Sequence, residues 1–113
     1  MKISRLFLTA ILFGGSVFAN EAPTITVQKF AFTPKEITVV PGTKVKWINK
    51  DETPHTVSTS DKSFMSKAMD TDDTFEYTFV NEGDFSYFCT LHPFMTGTVH
   101  VRAAPGAATA STK

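Results

Sequence analysis

The sequence predicts an all-β domain, an antiparallel β-sandwich. Short runs in which apolar and polar residues alternate recur along the chain, as β-strands with one buried face require. Turn-forming residues separate these runs at intervals of about 8–12 positions, a spacing typical of sandwiches. No long amphipathic helical pattern interrupts them.

Seven segments have a β-like pattern and are taken as the strands of this sandwich. They are Ile25–Phe32, Lys35–Val40, Thr43–Asn49, His55–Thr59, Thr74–Phe79, Phe85–Cys89 and Thr96–Arg102. In the first segment the alternation changes parity at Gln28–Lys29, which predicts a bulge or a bend. In the third segment Trp47 falls on the apolar face, so we expect it in the core.

Residues 1–19 have the pattern of a secretory signal peptide. Lys2 and Arg5 precede the apolar run Leu6–Phe13, and Val17–Phe18–Ala19 offers small residues before a predicted cleavage after Ala19. The run is shorter than the roughly 20 apolar residues of a transmembrane helix, so a retained anchor is the weaker alternative. The sequence therefore predicts export to the periplasm and no membrane association after cleavage.

The remaining chain divides into a domain over residues 20–102 and a tail over residues 103–113. Apart from Lys113, the tail is composed of Ala, Gly, Pro, Ser and Thr, so it has too little apolar bulk to order and is predicted to be flexible. The full chain has 11 basic and 11 acidic residues, and loss of Lys2 and Arg5 leaves a formal charge of −2. A chain so close to neutrality is not expected to bind nucleic acid.

The spacing Cys89-x-x-His92-x-x-Met95 is the main chemical signal. These residues lie on a short loop between two predicted strands, and His55 lies upstream after Pro54. A thiolate, two imidazoles and a weak axial thioether are the ligands of a blue copper site. We therefore predict one copper ion, cycling between Cu(I) and Cu(II), held by His55, Cys89, His92 and Met95.

Each of these four residues also has a purely structural interpretation. Cys89 could be a small buried hydrophobe, Met95 a core side chain, and the two histidines turn or loop residues. The context favours ligation, because a lone thiol in an oxidising compartment is at risk unless a metal protects it. Cysteine with two histidines is also a catalytic zinc set, but a methionine ligand suits copper better. His100, flanked by Val99 and Val101, is expected to face solvent.

At these residues the chain resembles the cupredoxins, the small blue copper proteins. The resemblance covers nearly all of residues 22–101, and it is carried by Phe32–Val39, Pro41–Asn49 and Thr53–Val57. The loop Cys89–Met95 is similar to that of amicyanins among the plastocyanin–pseudoazurin group. The resemblance implies a Greek-key sandwich of about eight strands, with copper near one end and an apolar patch around His92. Many members have Asn after the first ligand histidine, so Thr56 is expected to change the tie between the ligand loops.

These features predict an electron carrier rather than an enzyme, because four protein ligands leave no open position for a substrate. Copper carriage or sequestration is the alternative, since the same ligands bind Cu(I), and a metal-free adhesion-like sandwich is a further one. A multinuclear copper oxidase is excluded by a total of three histidines. The amicyanin-like loop implies redox partners, an amine dehydrogenase as donor and a c-type cytochrome as acceptor, and we expect a monomer.

Overall fold

The computed structural model describes residues 22–104. Within that range the chain forms seven strands and no helix: β1 (Thr24–Gln28), β2 (Ala31–Thr33), β3 (Glu36–Val39), β4 (Thr43–Asn49), β5 (Thr74–Phe79), β6 (Gly83–Phe88) and β7 (Thr96–Val101). Four strands form one sheet in the order β2-β1-β4-β5, and three form a second in the order β3-β7-β6. The predicted signal peptide and residues 105–113 of the predicted tail lie outside the described residues.

The core forms where the alternating apolar faces of both sheets meet. In β4, for example, Val45 and Trp47 are buried while Lys44 is exposed, which confirms the prediction for Trp47. The fully buried side chains around it include Ile25, Val27, Phe79, Tyr87, Val99 and Val101. Each large apolar side chain buried in this way contributes roughly 1.5–3 kcal/mol. No helix in the described range is long and apolar enough to cross a membrane.

The all-β sandwich is confirmed, but the two sheets are mixed rather than antiparallel throughout. Strand β1 runs parallel to β4, and β3 runs parallel to β7, whereas the other pairs are antiparallel. Alternation along one strand indicates which face of the sheet each side chain occupies, but it does not indicate whether the adjacent strand is parallel or antiparallel. The described range holds seven strands against the eight or so expected, and the segment His55–Thr59 forms only isolated bridges, at His55 and Ser58.

The first predicted strand is instead two strands joined by a tight turn. Gln28 pairs with Ala31, so Lys29 and Phe30 form a two-residue hairpin loop with φ of 54° and 57°. Two successive positive φ angles define a type I′ turn, which normally uses Asn and Gly. Each non-glycine residue in this region costs roughly 1 kcal/mol. The parity change therefore marks a reversal of the chain between two strands, where a bulge or a bend within one strand was predicted. We call it the Lys29–Phe30 turn.

Candidate metal centre

The loop from Cys89 to Met95 is closed by hydrogen bonds between its own backbone groups. The Cys89 carbonyl accepts from the His92 amide at 3.2 Å, and the His92 carbonyl accepts from the Met95 amide at 2.9 Å. The Cys89 amide donates to the Met95 carbonyl at 3.1 Å, which closes the loop between the end of β6 and the start of β7. The three-residue spacing of the predicted ligands therefore corresponds to consecutive turns of one compact loop.

His55 approaches from a separate segment that is anchored on both sides. The His55 amide donates to the Met69 carbonyl at 3.2 Å, and the His55 carbonyl accepts from the Met69 amide at 2.8 Å. On the other side, the Ser58 amide donates to the Phe88 carbonyl at 3.0 Å, and the Phe88 amide donates to the Ser58 carbonyl at 2.9 Å. The buried Asn49 side chain donates to the carbonyls of Thr53 and Met69, so the chain between β4 and His55 is also held. The fold thus places His55 beside the cysteine loop.

His55, Cys89 and His92 bring one donor atom each to within 4.8 Å of one another. The Cys89 Sγ atom lies 3.8 Å from His55 Nδ1 and 3.6 Å from His92 Nδ1. A metal bound at about 2.3 Å from sulfur and about 2.0 Å from nitrogen would separate these atoms by roughly 3.5–3.7 Å at angles between tetrahedral and trigonal, within about 0.1 Å of the two distances here. The observed spacings fit one ion held by all three side chains.

Burial also suits a metal site with little access to water. His55 and Cys89 are fully buried, Met95 is 2% exposed, and His92 is half-buried. Met95 belongs to the same closed loop, as the prediction requires, and its assignment as the axial ligand stays a prediction. A thioether ligand from Met95 would favour copper over zinc, because zinc sites use Cys, His and carboxylate ligands.

Thr56 ties the two ligand segments together. Its amide N–H donates to Cys89 Sγ at 3.3 Å, and its hydroxyl oxygen accepts from the Thr90 amide at 2.7 Å. The Thr56 and Thr90 hydroxyl oxygens are 2.8 Å apart, so these hydroxyls also share a hydrogen bond. The Thr56 hydroxyl therefore links the segment that contains His55 to the Cys89–Met95 loop, through hydrogen bonds with the amide and the hydroxyl of Thr90.

Asp51 lies behind His55, on the side away from the cysteine. Its Oδ2 atom is 2.8 Å from His55 Nε2, while its two oxygens accept from the amides of Lys29 at 2.6 Å and Phe30 at 3.0 Å. Desolvation, the largest effect, raises the pKa of this carboxyl, but hydrogen bonds from Phe30, Lys29 and His55 together leave the pKa below its ordinary 3.8. With a metal on Nδ1, the ring proton would lie on Nε2 and His55 would donate to the Asp51 carboxylate.

His100 lies apart from this group, as predicted, on the outer face of the second sheet. Its Nδ1 is 2.7 Å from an Asp84 oxygen and its Nε2 is 2.8 Å from a Glu36 oxygen, and Arg102 also bonds Asp84. Both ring nitrogens are thereby engaged, and the side chain is 29% exposed. His100 is therefore part of an ion-pair cluster that links β3, β6 and β7.

Sequence reasoning missed two residues at this site, Asp51 and Phe30. The Phe30 ring meets the His55 ring edge-on at 5.1 Å and the His92 ring at 4.9 Å. A signal for Asp51 was available, because ligand histidines usually donate their second N–H to a nearby carboxylate. None marked Phe30, whose contacts depend on the Lys29–Phe30 turn.

The chain matches the copper-binding proteins of the plastocyanin/azurin family over residues 19–102. It is 33% identical to amicyanin from Paracoccus versutus over 72% of this chain, a match that spans 65% of that protein and so just under two thirds of its length. It is 31% identical to amicyanin-alpha from Methylorubrum extorquens, over 82% of this chain and 87% of that protein.

Solved structures of amicyanins are also similar to this chain. The crystal structure of the Paracoccus versutus amicyanin superposes with a TM-score of 0.69 and 31% identity, covering 73% of this chain and 82% of that one. The family match, these relatives and the His55–Cys89–His92 group together identify the cofactor as a single type 1 copper ion. The chain therefore belongs to the plastocyanin/azurin family of copper-binding proteins, the cupredoxins, and is amicyanin-like.

Proposed function

We propose that this protein carries single electrons between periplasmic redox proteins, with His55, Cys89, His92 and Met95 as the copper ligands. The observation that carries the proposal is a fully buried thiol with imidazole nitrogens at 3.6 and 3.8 Å from two separately anchored segments. Bound copper supplies a one-electron couple between Cu(I) and Cu(II). Ligands fixed by the surrounding hydrogen bonds move little between the two states, which favours fast electron exchange.

His92 is the route by which electrons enter and leave. His55 and Cys89 are fully buried, whereas His92 is half-buried and so reaches the surface. Exposed apolar side chains surround it: Phe94 is 71% exposed, Leu91 is 52% exposed and Phe30 is 42% exposed. Transient redox complexes have small interfaces, so a patch formed by these three side chains around His92 is sufficient for a partner to dock.

The visible spectrum of the Cu(II)-loaded protein tests the ligand assignment. We expect an intense blue band from charge transfer between the Cys89 thiolate and Cu(II). Cys89→Ser should lose this band, because a hydroxyl oxygen cannot replace the thiolate. A wild-type protein that binds Cu(II) without the band, or a Cys89→Ser protein that keeps it, would refute the assignment.

The patch around His92 is tested by Phe94→Asp. A charge there should slow electron exchange with a redox partner while the blue band stays unchanged, because Phe94 lies outside the ligand set. Val80→Asp is a matched control: Val80 is 65% exposed and follows β5, whose last residues pair with the start of β4 rather than with the ligand segments. Equal rates for Phe94→Asp and wild type in stopped-flow measurements would place docking elsewhere.

Burial of the ligands favours electron transfer over the alternative, copper carriage. Handover of copper requires a partner's ligands to reach the ion, and three of the four proposed ligands are at most 2% exposed. Export rests on the signal-peptide pattern of residues 1–19. An amine dehydrogenase as donor, a c-type cytochrome as acceptor and a monomeric state complete the proposal by analogy with amicyanins. Reversible cycling by such a donor supports it, whereas rapid copper transfer to an apo-protein would favour carriage.

A further inference from the structure

The Lys29–Phe30 turn has a conformation that its own sequence does not favour. Both residues have positive φ, although neither is Gly, Asn or Asp, the residues that adopt this region most readily. Strained backbone of this kind persists only where the surrounding structure holds it, and it tends to occur at functional sites. The groups that hold this turn are therefore of interest.

One carboxylate holds the turn and a histidine at the same time. Asp51 accepts from both turn amides, at 2.6 and 3.0 Å, and the oxygen that accepts from Phe30 lies 2.8 Å from His55 Nε2. The Asp51 side chain is 13% exposed, and its own amide donates to the buried Asn49 side chain at 2.9 Å. Little freedom remains for this carboxylate to move away from any of the three donors.

The held turn places an aromatic ring against both histidines. Phe30 meets His55 at 5.1 Å and 90°, and His92 at 4.9 Å and 84°. Its other neighbour is Phe94, stacked at 6.4 Å and 19°, which itself contacts His92 at 6.2 Å. Among residues 22–104, Phe30 is the one aromatic side chain that contacts both imidazoles, and its position depends on the Lys29–Phe30 turn.

We propose that Asp51 is a positioning residue for both histidines, directly for His55 by its hydrogen bond and indirectly for His92 through the Lys29–Phe30 turn and the Phe30 ring. This inference rests on the proposed ligand set. A carboxylate that accepts from Nε2–H makes the imidazole a stronger donor and adds negative charge beside the site, and both effects favour Cu(II). Asp51 therefore lowers the reduction potential and restrains the half-buried histidine.

The first test compares reduction potentials of the copper-loaded protein. Asp51→Ala and the isosteric Asp51→Asn should raise the potential and lower Cu(II) affinity by about 10–100-fold, the usual cost of losing such a partner. Asp72→Asn is the matched control, because it removes an equal charge that is 66% exposed and, among residues 22–104, forms an ion pair with Lys50 alone. An Asp51→Asn shift no larger than that of Asp72→Asn would overturn the direct role.

The second test uses NMR of the diamagnetic Cu(I) protein. Without the carboxylate, hydrogen exchange at the Lys29 and Phe30 amides should accelerate at least tenfold. The His92 ring signals should broaden in both Asp51→Asn and Phe30→Leu. In the double variant these signals should be no broader than in the more strongly affected single variant, because both substitutions act through the same contact between Phe30 and His92. Additive effects, or sharp His92 signals in Phe30→Leu, would overturn the indirect role.

The blue band separates failure of this inference from failure of the proposed function. A wild-type protein with the band, lost in Cys89→Ser, keeps the ligand set even if the Asp51 variants behave like Asp72→Asn. In that case only the positioning role is wrong. Absence of the band in wild type would instead refute the ligand set on which the inference rests.

Discussion

His55 and His100 both lie within hydrogen-bonding distance of carboxylates, yet their settings differ. His55 is fully buried and faces one carboxylate, that of Asp51, with Nε2, while Nδ1 is turned towards the Cys89 sulfur. His100 is partly exposed and faces two carboxylates, Asp84 with Nδ1 and Glu36 with Nε2. Both rings are oriented by their partners, but only one keeps a nitrogen for another ligand.

This difference determines what each histidine can do. A neutral imidazole has one N–H donor and one free lone pair, so a single carboxylate partner orients the ring and leaves the lone pair for a metal. Two carboxylate partners instead favour the protonated ring, in which both nitrogens are donors. The number of ring nitrogens engaged by carboxylates, rather than the presence of a carboxylate, separates the proposed metal ligand His55 from the ion-pair residue His100.

Replacing each histidine by alanine should give the largest contrast. His55→Ala removes a donor atom from the buried group, so the blue band should be lost or replaced by a different spectrum. His100→Ala should keep the wild-type band, since His100 is not part of that group. Titration of both variants with Cu(II), followed by visible absorption, measures the contrast. Loss of the band in His100→Ala but not in His55→Ala would reverse the assignment of the two rings.

Thr56→Val should have a smaller effect, on stability rather than on colour. The substitution removes the hydroxyl that accepts from the Thr90 amide, and unsatisfied groups of this kind cost about 1–3 kcal/mol. The Thr56 amide still donates to the Cys89 sulfur, so the blue band should persist. Urea unfolding of Thr56→Val, compared with Thr56→Ser, which keeps a hydroxyl, measures what the Thr56–Thr90 hydrogen bond contributes to the free energy of unfolding. Equal unfolding midpoints would show that this hydrogen bond does not stabilise the fold.

The ion-pair cluster should give the smallest effect, visible only as a pH dependence. Hydrogen bonds to Asp84 and then Glu36 raise the pKa of His100 above its ordinary 6.5. A raised pKa in the folded state means that the stabilisation is complete below about pH 6.5 and is lost as the pH rises through the folded pKa. Hydrogen bonds from His100 and Arg102 lower the pKa of Asp84, whose contribution is present above about 3.8 and is lost on acidification.

Melting temperatures across this range check the prediction. The difference in Tm between wild type and His100→Gln should be largest between about pH 4 and pH 6.5 and should shrink towards pH 9. The effect should be modest, because the groups are solvent-exposed and salt screens them. A difference that stays constant, or grows at alkaline pH, would contradict the assignment of a protonated His100.

The fold class and the donor residues followed from patterns that are local in sequence. Cys89, His92 and Met95 lie within one loop, and strands such as Thr43–Asn49 and Thr74–Phe79 were predicted with the bounds observed, because alternation is a local signal. The same signal could not supply the parallel pairing of β1 with β4 or of β3 with β7, because strand direction depends on how distant segments meet.

The supporting residues of the site were less accessible to sequence reasoning. Asp51 meets Lys29 and Phe30 across 22 and 21 positions, and Thr56 meets Thr90 across 34. The Lys29–Phe30 turn lacks the Asn or Gly that normally marks a two-residue hairpin, so its sequence indicated a bulge or a bend within one strand. Its conformation depends on a distant carboxylate, and the position of Phe30 over the histidines follows from that conformation.

The most direct test of the central claim is an anomalous-scattering map at the copper edge from crystals of the copper-loaded protein. The account predicts one copper peak between Cys89 Sγ and the Nδ1 atoms of His55 and His92, about 2.0–2.3 Å from each, with none at His100. A peak at the His100 cluster, or copper bound without the Cys89 sulfur, would contradict it.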